Sequence, residues 1–478
     1  MTKRNSYINL TKNVGILTLG SFGSKLLSYF LLPLYTSYLS TAEYGSYDLL
    51  SATINFIIPL LTVNAAASLM RFSLDKDTDP SNVITTGFFI VLKGLAVFLC
   101  FVIINRAFGL FDIVNQYLLY FVLLYILSVS SQILGSIAKG LEDLTGMAIN
   151  GVVHTLFLLL LNILFLVQLD MKLDGYFLAN IISLVISSLY LVLRLRIWNY
   201  ISFQSFSYST EKKMLKYGGP LIATSIGWWI NNMSDRYVIT WLCGIGANGV
   251  YSVAYKIPSI LMTLQSIFNQ AWQISTVGEY NKNDSNGFFS NIYNLFNMLN
   301  VLGCSVFIVL TKVFARLLFA KEFYTAWQYA PFLMISVVFG SLIGVIDGIF
   351  QAVKDSKIQS KSVAFGAIVN LVLNIAFVYL WGPIGAAVST AIAYFVTWII
   401  SFINVKKYIV LKIKIKKHMW SYIILLIQSI DFVFGGSDIT RYIVQICFVL
   451  VLILLYAGEI RSIIDVVTKQ KSKNLISD

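Results

Sequence analysis

Runs of apolar residues long enough to cross a bilayer recur from one end of the chain to the other, separated by short breaks that carry charge, Gly or Pro. About 20 apolar residues in a helix span the roughly 30 Å hydrocarbon core. Fourteen such spans can be placed, at 13–38, 44–70, 82–105, 114–138, 146–169, 175–197, 217–242, 248–274, 288–312, 324–351, 361–381, 383–405, 418–434 and 439–458. The pattern predicts an all-α, polytopic membrane protein. The first run, from Val14, is too long for the apolar stretch of a cleavable leader and contains Lys25, so it reads as a retained first helix.

Polar positions interrupt this pattern in an ordered way. From Ser252 the eighth span carries Ser252, Lys256, Ser259, Thr263, Ser266, Gln270 and Gln273 at alternating intervals of four and three, which puts all of them on one face of a continuous helix. Such a stripe is roughly 30 Å long and must face protein or water, because each unpaired polar group in lipid costs several kcal/mol. The seventh span carries Asn232, Asp235 and Arg236. The second carries Asp48, Ser51, Asn55 and Thr62, and the first Thr18, Ser21, Lys25 and Ser28.

An internal repeat ties these stripes together. Gly45-Ser46-Tyr47 matches Gly249-Val250-Tyr251 at an offset of 204, Leu161-Asn162-Ile163 matches Leu373-Asn374-Ile375 at 212, and Gly175 matches Gly385 at 210. Short matches in one order at nearly one offset point to a duplication of six spans. The expected organisation is therefore an N-terminal six-helix bundle at 13–197, a cytoplasmic linker at 198–216 rich in Ser, Tyr and Lys, a C-terminal six-helix bundle at 217–405, and two additional spans at 418–458. Six is an even number, so pseudo-symmetric halves would share one orientation, with substrate bound between them. At the 204 offset Asn55 falls opposite Ser259 and Thr62 opposite Ser266, so spans 1, 2, 7 and 8 are polar on one face in both halves.

Composition and charge sharpen this picture. Of 478 residues 58% are hydrophobic and 12% charged, with a mean hydropathy of +0.77, which excludes a water-soluble globular protein. The net charge of +13 would suit nucleic acid in a soluble protein, but in a membrane protein position decides. With a cytoplasmic N-terminus, 25 basic residues fall inside, 6 outside and 4 within spans, which accounts for all 35. That asymmetry supports both the even span number and the direction, with both termini cytoplasmic. The run Lys406–Lys417 mixes Lys with Ile and Leu and reads either as a segment lying on anionic headgroups or as an ordinary positive-inside loop. Cys100, Cys243, Cys304 and Cys447 lie scattered in or beside apolar segments, with no CxxC, and read as packing residues; no metal site is expected.

The candidate chemistry is that of a wet, positively charged path through the membrane. Lys25, Arg236 and Lys256, with Lys93 a further candidate, set cations against Asp48, Asp235 and Asp347. Cations away from bulk water would hold an anionic headgroup such as a diphosphate strongly. The alternative is an internal ion pair that only joins helices, for example Lys256 with Asp347. Asp347 lies in a stripe of small and polar residues, Ser336, Gly340, Gly344, Asp347 and Gln351, that suits close helix packing; it is a candidate either for a proton or cation site or for a packing partner. Pro33, Pro59 and Pro258 mark kinks. His154, alone in an apolar span, reads as an interior residue. The chain has no GxxxxGK[ST], HExxH or GxSxG motif, so it is not expected to be an enzyme, and no cofactor is expected. Energy would come from an H+ or Na+ gradient or from the membrane potential.

Several segments taken together resemble the polysaccharide transporters of the MOP flippase superfamily, the Wzx-type exporters of lipid-linked oligosaccharides. They are Lys25 through Asp48, with Pro33-Leu34-Tyr35-Thr36 and Glu43-Tyr44-Gly45-Ser46-Tyr47-Asp48; Asp235-Arg236-Tyr237-Val238-Ile239; Gly249-Val250-Tyr251 and Tyr255-Lys256-Ile257-Pro258; and Gly382-Pro383-Ile384-Gly385-Ala386-Ala387. The resemblance implies a V-shaped pair of bundles that alternately opens to the two sides of a bacterial cytoplasmic membrane. Such a protein carries undecaprenyl-diphosphate-linked repeat units of O-antigen, capsule or exopolysaccharide type outward. It implies a basic central cavity at Lys25, Arg236 and Lys256. Expected partners are the lipid-linked oligosaccharide, membrane lipids and the polysaccharide polymerase and chain-length machinery, with no nucleic acid. Alternatives are a lipid II flippase, for which spans 13 and 14 would supply a tail groove, a cation-coupled multidrug exporter, and a membrane polymerase or ligase of lipid-linked sugars.

Overall fold

The computed structural model describes residues 29–75, 78–279, 282–285, 287–353, 355–436 and 438–461. Among these residues the structure is helical, with no strand. In chain order the helices are α1 (29–38), α2 (Thr41–Leu61), α3 (Ala65–Ser73), α4 (Pro80–Phe108), α5 (Asp112–Gln116), α6 (Leu118–Gly140), α7 (Leu144–Asn162, continued by a π-helical turn Ile163–Gln168) and α8 (Lys172–Leu195). There follow α9 (Tyr208–Cys243), α10 (Ile245–Ala254), α11 (Lys256–Glu279), α12 (Phe288–Leu318), α13 (Ala330–Ala352), α14 (Ser356–Trp381), α15 (Pro383–Val405), α16 (Ile415–Phe434) and α17 (Asp438–Leu455). Eight helices among the described residues are long and apolar enough to cross a membrane by themselves, and α2 with α3, bent by 55°, makes a ninth. Spans 7 and 8 are present as α9 and as α10 with α11, whose polar stripes keep their hydropathy low. The protein is a multi-pass, all-α membrane protein, and the fourteen predicted spans each coincide with a helix or helix pair, the first of them only over its described part.

The chain forms two compact units, 1–252 with 318–323 and 253–317 with 324–478. The first boundary falls at Ser252, so α9 is counted with the helices that precede it. In the first unit Leu69 of α3, Ile84 of α4, Ile137 of α6, Leu191 of α8 and Met214 of α9 form one buried apolar cluster. Its rim is fixed by a bidentate pair. Arg194 donates from Nε to Asp143 Oδ2 at 2.6 Å and from Nη2 to Oδ1 at 3.0 Å, while Asp143 caps α7 by accepting the Gly146 N–H at 2.9 Å. The Arg194 guanidinium beside it holds the Asp143 carboxyl below the usual carboxylate range.

Two local features shape the first unit near its charged residues. Ser40 and Glu43 form a capping box at the start of α2: Glu43 Oε2 accepts the Ser40 N–H at 2.7 Å, and Ser40 Oγ accepts the Glu43 N–H at 3.2 Å. At its other end α2 breaks. Val63 and Asn64 take positive φ, 49° and 50°, a conformation that a β-branched residue rarely adopts. The freed carbonyls of Leu61 and Val63 face Gly94 of α4 and Gly218 of α9, where any Cβ would overlap them. Glycine there lets neighbouring backbones close on a broken helix. The segment 318–323 belongs to this unit because Thr36 Oγ1 accepts the Ala320 N–H at 3.0 Å.

In the second unit α13 is the central helix, with 89% of its apolar window buried. Its stripe of small residues lets neighbours approach: Gly344 lies against Asn269, Gly348 against Trp272 of α11, and Gly340 against Tyr394 of α15. Trp272 Nε1 donates to the Val345 carbonyl at 2.9 Å. Helices α16 and α17 are held to α12 by buried amides. Tyr422 donates to Asn297 Oδ1 at 2.7 Å, Asn297 Nδ2 donates to Tyr456 OH at 3.0 Å, and Ser305 donates to Gln428 Oε1 at 2.8 Å. Where lipid is as apolar as a leucine side chain, such bonds take over from hydrophobic burial as the glue between helices.

Candidate functional site

The charged residues predicted on spans 2 and 7 meet in the first unit. Arg236, on α9, donates from Nε to Asp48 Oδ2 of α2 at 2.6 Å and from Nη1 to the Asn232 carbonyl at 2.7 Å. Ser252 of α10 donates to the same Asp48 oxygen at 2.6 Å. The Arg236 side chain is 7% exposed and that of Asp48 20%. Asp235, fully buried, accepts from Tyr251 OH at 2.7 Å. Successive helical residues point about 100° apart. Asp235 thereby grips α10 while Arg236 grips α2.

Backbone contact brings α2 and α10 together there. A Cβ on Gly45 would overlap the Ile245 carbonyl oxygen, and a Cβ on Gly249 would overlap the Thr41 carbonyl oxygen. Residue 45 thus meets 41 + 204 and residue 249 meets 41, the reciprocity of a local twofold contact. Asp48 and Ser252, also 204 apart, touch in the same way. The segments around Gly45 and Gly249, which match in sequence, are in direct contact with each other.

A tyrosine cluster that sequence reasoning missed backs this site. Tyr176 packs against Tyr35, Tyr44 and Tyr47, with ring centroids 4.6, 6.3 and 4.4 Å away. Tyr47 OH donates to Asn180 Oδ1 at 2.9 Å. The signal was present in the spacing of Tyr44 and Tyr47 around Gly45. The repeated Asn162 is fully buried and bonds to the Leu158 carbonyl at 2.6 Å.

The other predicted residues are placed as follows. Lys25 lies outside the described residues. Lys93, on α4, is paired with Glu211 in the first turn of α9, the carboxylate buried and the lysine exposed. Asn55 is exposed on α2, and half-buried Asn232 donates to the Trp228 carbonyl at 2.7 Å. The eighth span is not one continuous helix: it breaks at Tyr255, two residues after the unit boundary, where Pro258 has no N–H to continue the ladder. The expectation of an unbroken stripe from Ser252 is corrected to that extent. Lys256 is the first residue of α11 and half-buried. Ser259 and Thr263 donate to the Lys256 and Ser259 carbonyls at 2.7 and 2.8 Å. Gln270 and Gln273 are positions of α11 whose side chains lie outside the described set. Gln265, off the predicted stripe, is buried and bonded to Asn300 of α12. Asp347 is 6% exposed in α13, and its Oδ1 has no hydrogen-bond partner.

Comparison with known proteins agrees with this architecture. Residues 10–277 match the model of a family described as polysaccharide biosynthesis protein. The probable low-salt glycan biosynthesis flippase Agl15 of Haloferax volcanii is 22% identical over 211 residues, 42% of this chain and 44% of that relative, so the match spans less than half of its length. The structure of the lipid II flippase MurJ in an inward closed conformation is similar with a TM-score of 0.66, at 15% identity, over 94% of this chain and 99% of that one. An inward-facing multidrug resistance MATE transporter of the MOP superfamily is similar with a TM-score of 0.64, at 17% identity, over 80% of this chain and 94% of that one. At these identities the structural likenesses establish the fold. A helical membrane protein whose residues 10–277, more than half of the chain, match that family model is a member of the polysaccharide biosynthesis protein family, and over 94% of its length it shares its fold with that flippase structure.

Proposed function

We propose that the protein is a flippase that carries undecaprenyl-diphosphate-linked oligosaccharide repeat units from the cytoplasmic to the outer leaflet of a bacterial inner membrane by alternating access. The observation that carries this reading is Arg236, an arginine 7% exposed within a membrane-spanning helix and paired with the Asp48 carboxylate. A buried guanidinium is costly unless paired, and a diphosphate offers it anionic oxygens in place of the Asp48 carboxylate. Substrate would displace Asp48 from Arg236, with Asn232 on the same helix facing the sugars; Lys25, Lys256, Ser259 and Thr263 are proposed as further substrate-binding positions of the chain. The membrane potential, outside positive, favours outward movement of an anion by about 2.3 kcal/mol per charge per 100 mV. Asp347 is the proposed site for any coupled H+ or Na+, because a buried carboxylate with an unpaired oxygen is costly until it takes up a cation. Lys93 has its own partner in Glu211, and its task in this reading is to hold α4 to α9.

Complementation tests the proposal. In a strain lacking its own repeat-unit flippase, the wild-type chain is expected to restore surface polysaccharide. Arg236→Glu and Lys256→Glu are expected to lower it by about tenfold or more at equal membrane abundance. Full surface polymer in both variants would remove the anion-binding role. Restoration of lipid II export instead would move the substrate to the peptidoglycan precursor.

A further inference from the structure

Next to the charged cluster the first unit contains an apolar cavity of about 550 Å³, a volume typical of small-molecule sites. Helix α2 walls it from Leu49 to Leu61, roughly 18 Å of helix, and α9 contributes Trp229 and Tyr237. Its polar wall groups are spent on one another: Thr53 Oγ1 and Tyr237 OH are 2.6 Å apart, and Trp229 Nε1 donates to the Ala52 carbonyl at 2.9 Å. Water would find few partners inside. Two of its wall residues are exposed, Val97 of α4 at 55% and Phe111 at 53%, and α4 is a helix whose apolar window is only 28% buried and therefore faces lipid.

The cavity borders the charged site through residues adjacent to it on α2 and α9. Leu49 directly follows Asp48, and Tyr237 directly follows Arg236. We propose that this cavity holds the first isoprene units of the tail of the lipid-linked substrate while its diphosphate engages Arg236, an inference that rests on the flippase reading above. Surrounding acyl chains are as apolar as the cavity, so selection cannot come from hydrophobic transfer. It comes from packing of a methyl-branched, unsaturated chain against aromatic walls, and from the charge of a diphosphate beside Arg236.

The test uses the full chain in phospholipid nanodiscs containing undecaprenyl diphosphate as a minor component, with a photoreactive side chain at position 97. Irradiation is expected to give an adduct of undecaprenyl mass despite the excess of phospholipid. In parallel, Val97→Trp is expected to weaken undecaprenyl diphosphate binding by about tenfold while leaving a short-chain analogue unchanged. Val97 is more than half exposed, so the larger side chain enters from the rim without displacing the core. Adducts of phospholipid alone, or equal affinities in wild type and Val97→Trp with diphosphate still bound, would overturn the tail site and leave the flippase reading standing. Failure of the wild type to bind either diphosphate would overturn both.

Discussion

Arg236 could be recognised from sequence because a charge inside an apolar run is conspicuous, but its partner could not. Three carboxylates were available, Asp235 next to it and Asp48 and Asp347 on other helices, and only the packing of α2 beside α9 brings Asp48 to it. Lys93 shows the same limit, since its partner Glu211 lies in a segment that reads as linker. The Ser40–Glu43 capping box, in contrast, stands in plain view within the very motif that carries the family resemblance. The energetic consequence of the Arg236 pair is specific. Removing one partner of a buried pair leaves the other charge stranded and costs about 3–5 kcal/mol, whereas replacing both with apolar residues of similar size costs much less. Arg236→Leu and Asp48→Leu are each expected to lower the apparent unfolding temperature in detergent sharply, with the double variant recovering most of the loss. Equal, additive losses would show that the pair is not a coupled unit.

Helix existence was legible and helix continuity was not. Hydropathy gave fourteen spans, yet it cannot register the bend at Val63–Asn64 or the break at Tyr255, because both depend on backbone conformation rather than on apolar periodicity. Pro258 was the visible sign of the second. Gly45 and Gly249, at matching positions in the sequence, let α2 and α10 touch through their backbones. Gly249→Leu cannot be accommodated without separating these helices. It is expected to abolish surface-polymer complementation while membrane insertion persists; full activity would mean that the contact is dispensable. At the other end of the chain, Glu459 joins α17 to Lys414 and Lys417 at 2.8 and 2.5 Å. Burial alone would raise its carboxyl, but the two lysine hydrogen bonds outweigh this and bring it down to about 2. A carboxyl lowered in the folded state contributes stability that is present above its ordinary value of 4.5 and is lost as pH falls toward 2. Thermal unfolding at pH 6 and pH 3 is expected to show a loss in the wild type and a smaller one in Glu459→Gln. Identical pH dependence would place the loss elsewhere.

The molecule as a whole was the most readable level. Its membrane class followed from composition, its helices from hydropathy, and its family from segments scattered over the chain, each now matched by structure or comparison. What stayed hidden was how polar residues share partners across the first unit, because contacts such as Asp48 with Ser252 join positions 204 apart. The central claim is that basic side chains within the membrane, buried Arg236 foremost, carry an anionic lipid-linked glycan across the bilayer. Proteoliposomes holding the purified chain and a fluorescent undecaprenyl-diphosphate oligosaccharide test it directly, with an added glycosidase reading which leaflet holds the label. The account predicts that wild-type protein protects a growing fraction of label from the glycosidase and that Arg236→Glu behaves like protein-free vesicles. Protection equal in the two proteins, or none above protein-free vesicles with correctly folded wild type, would contradict it.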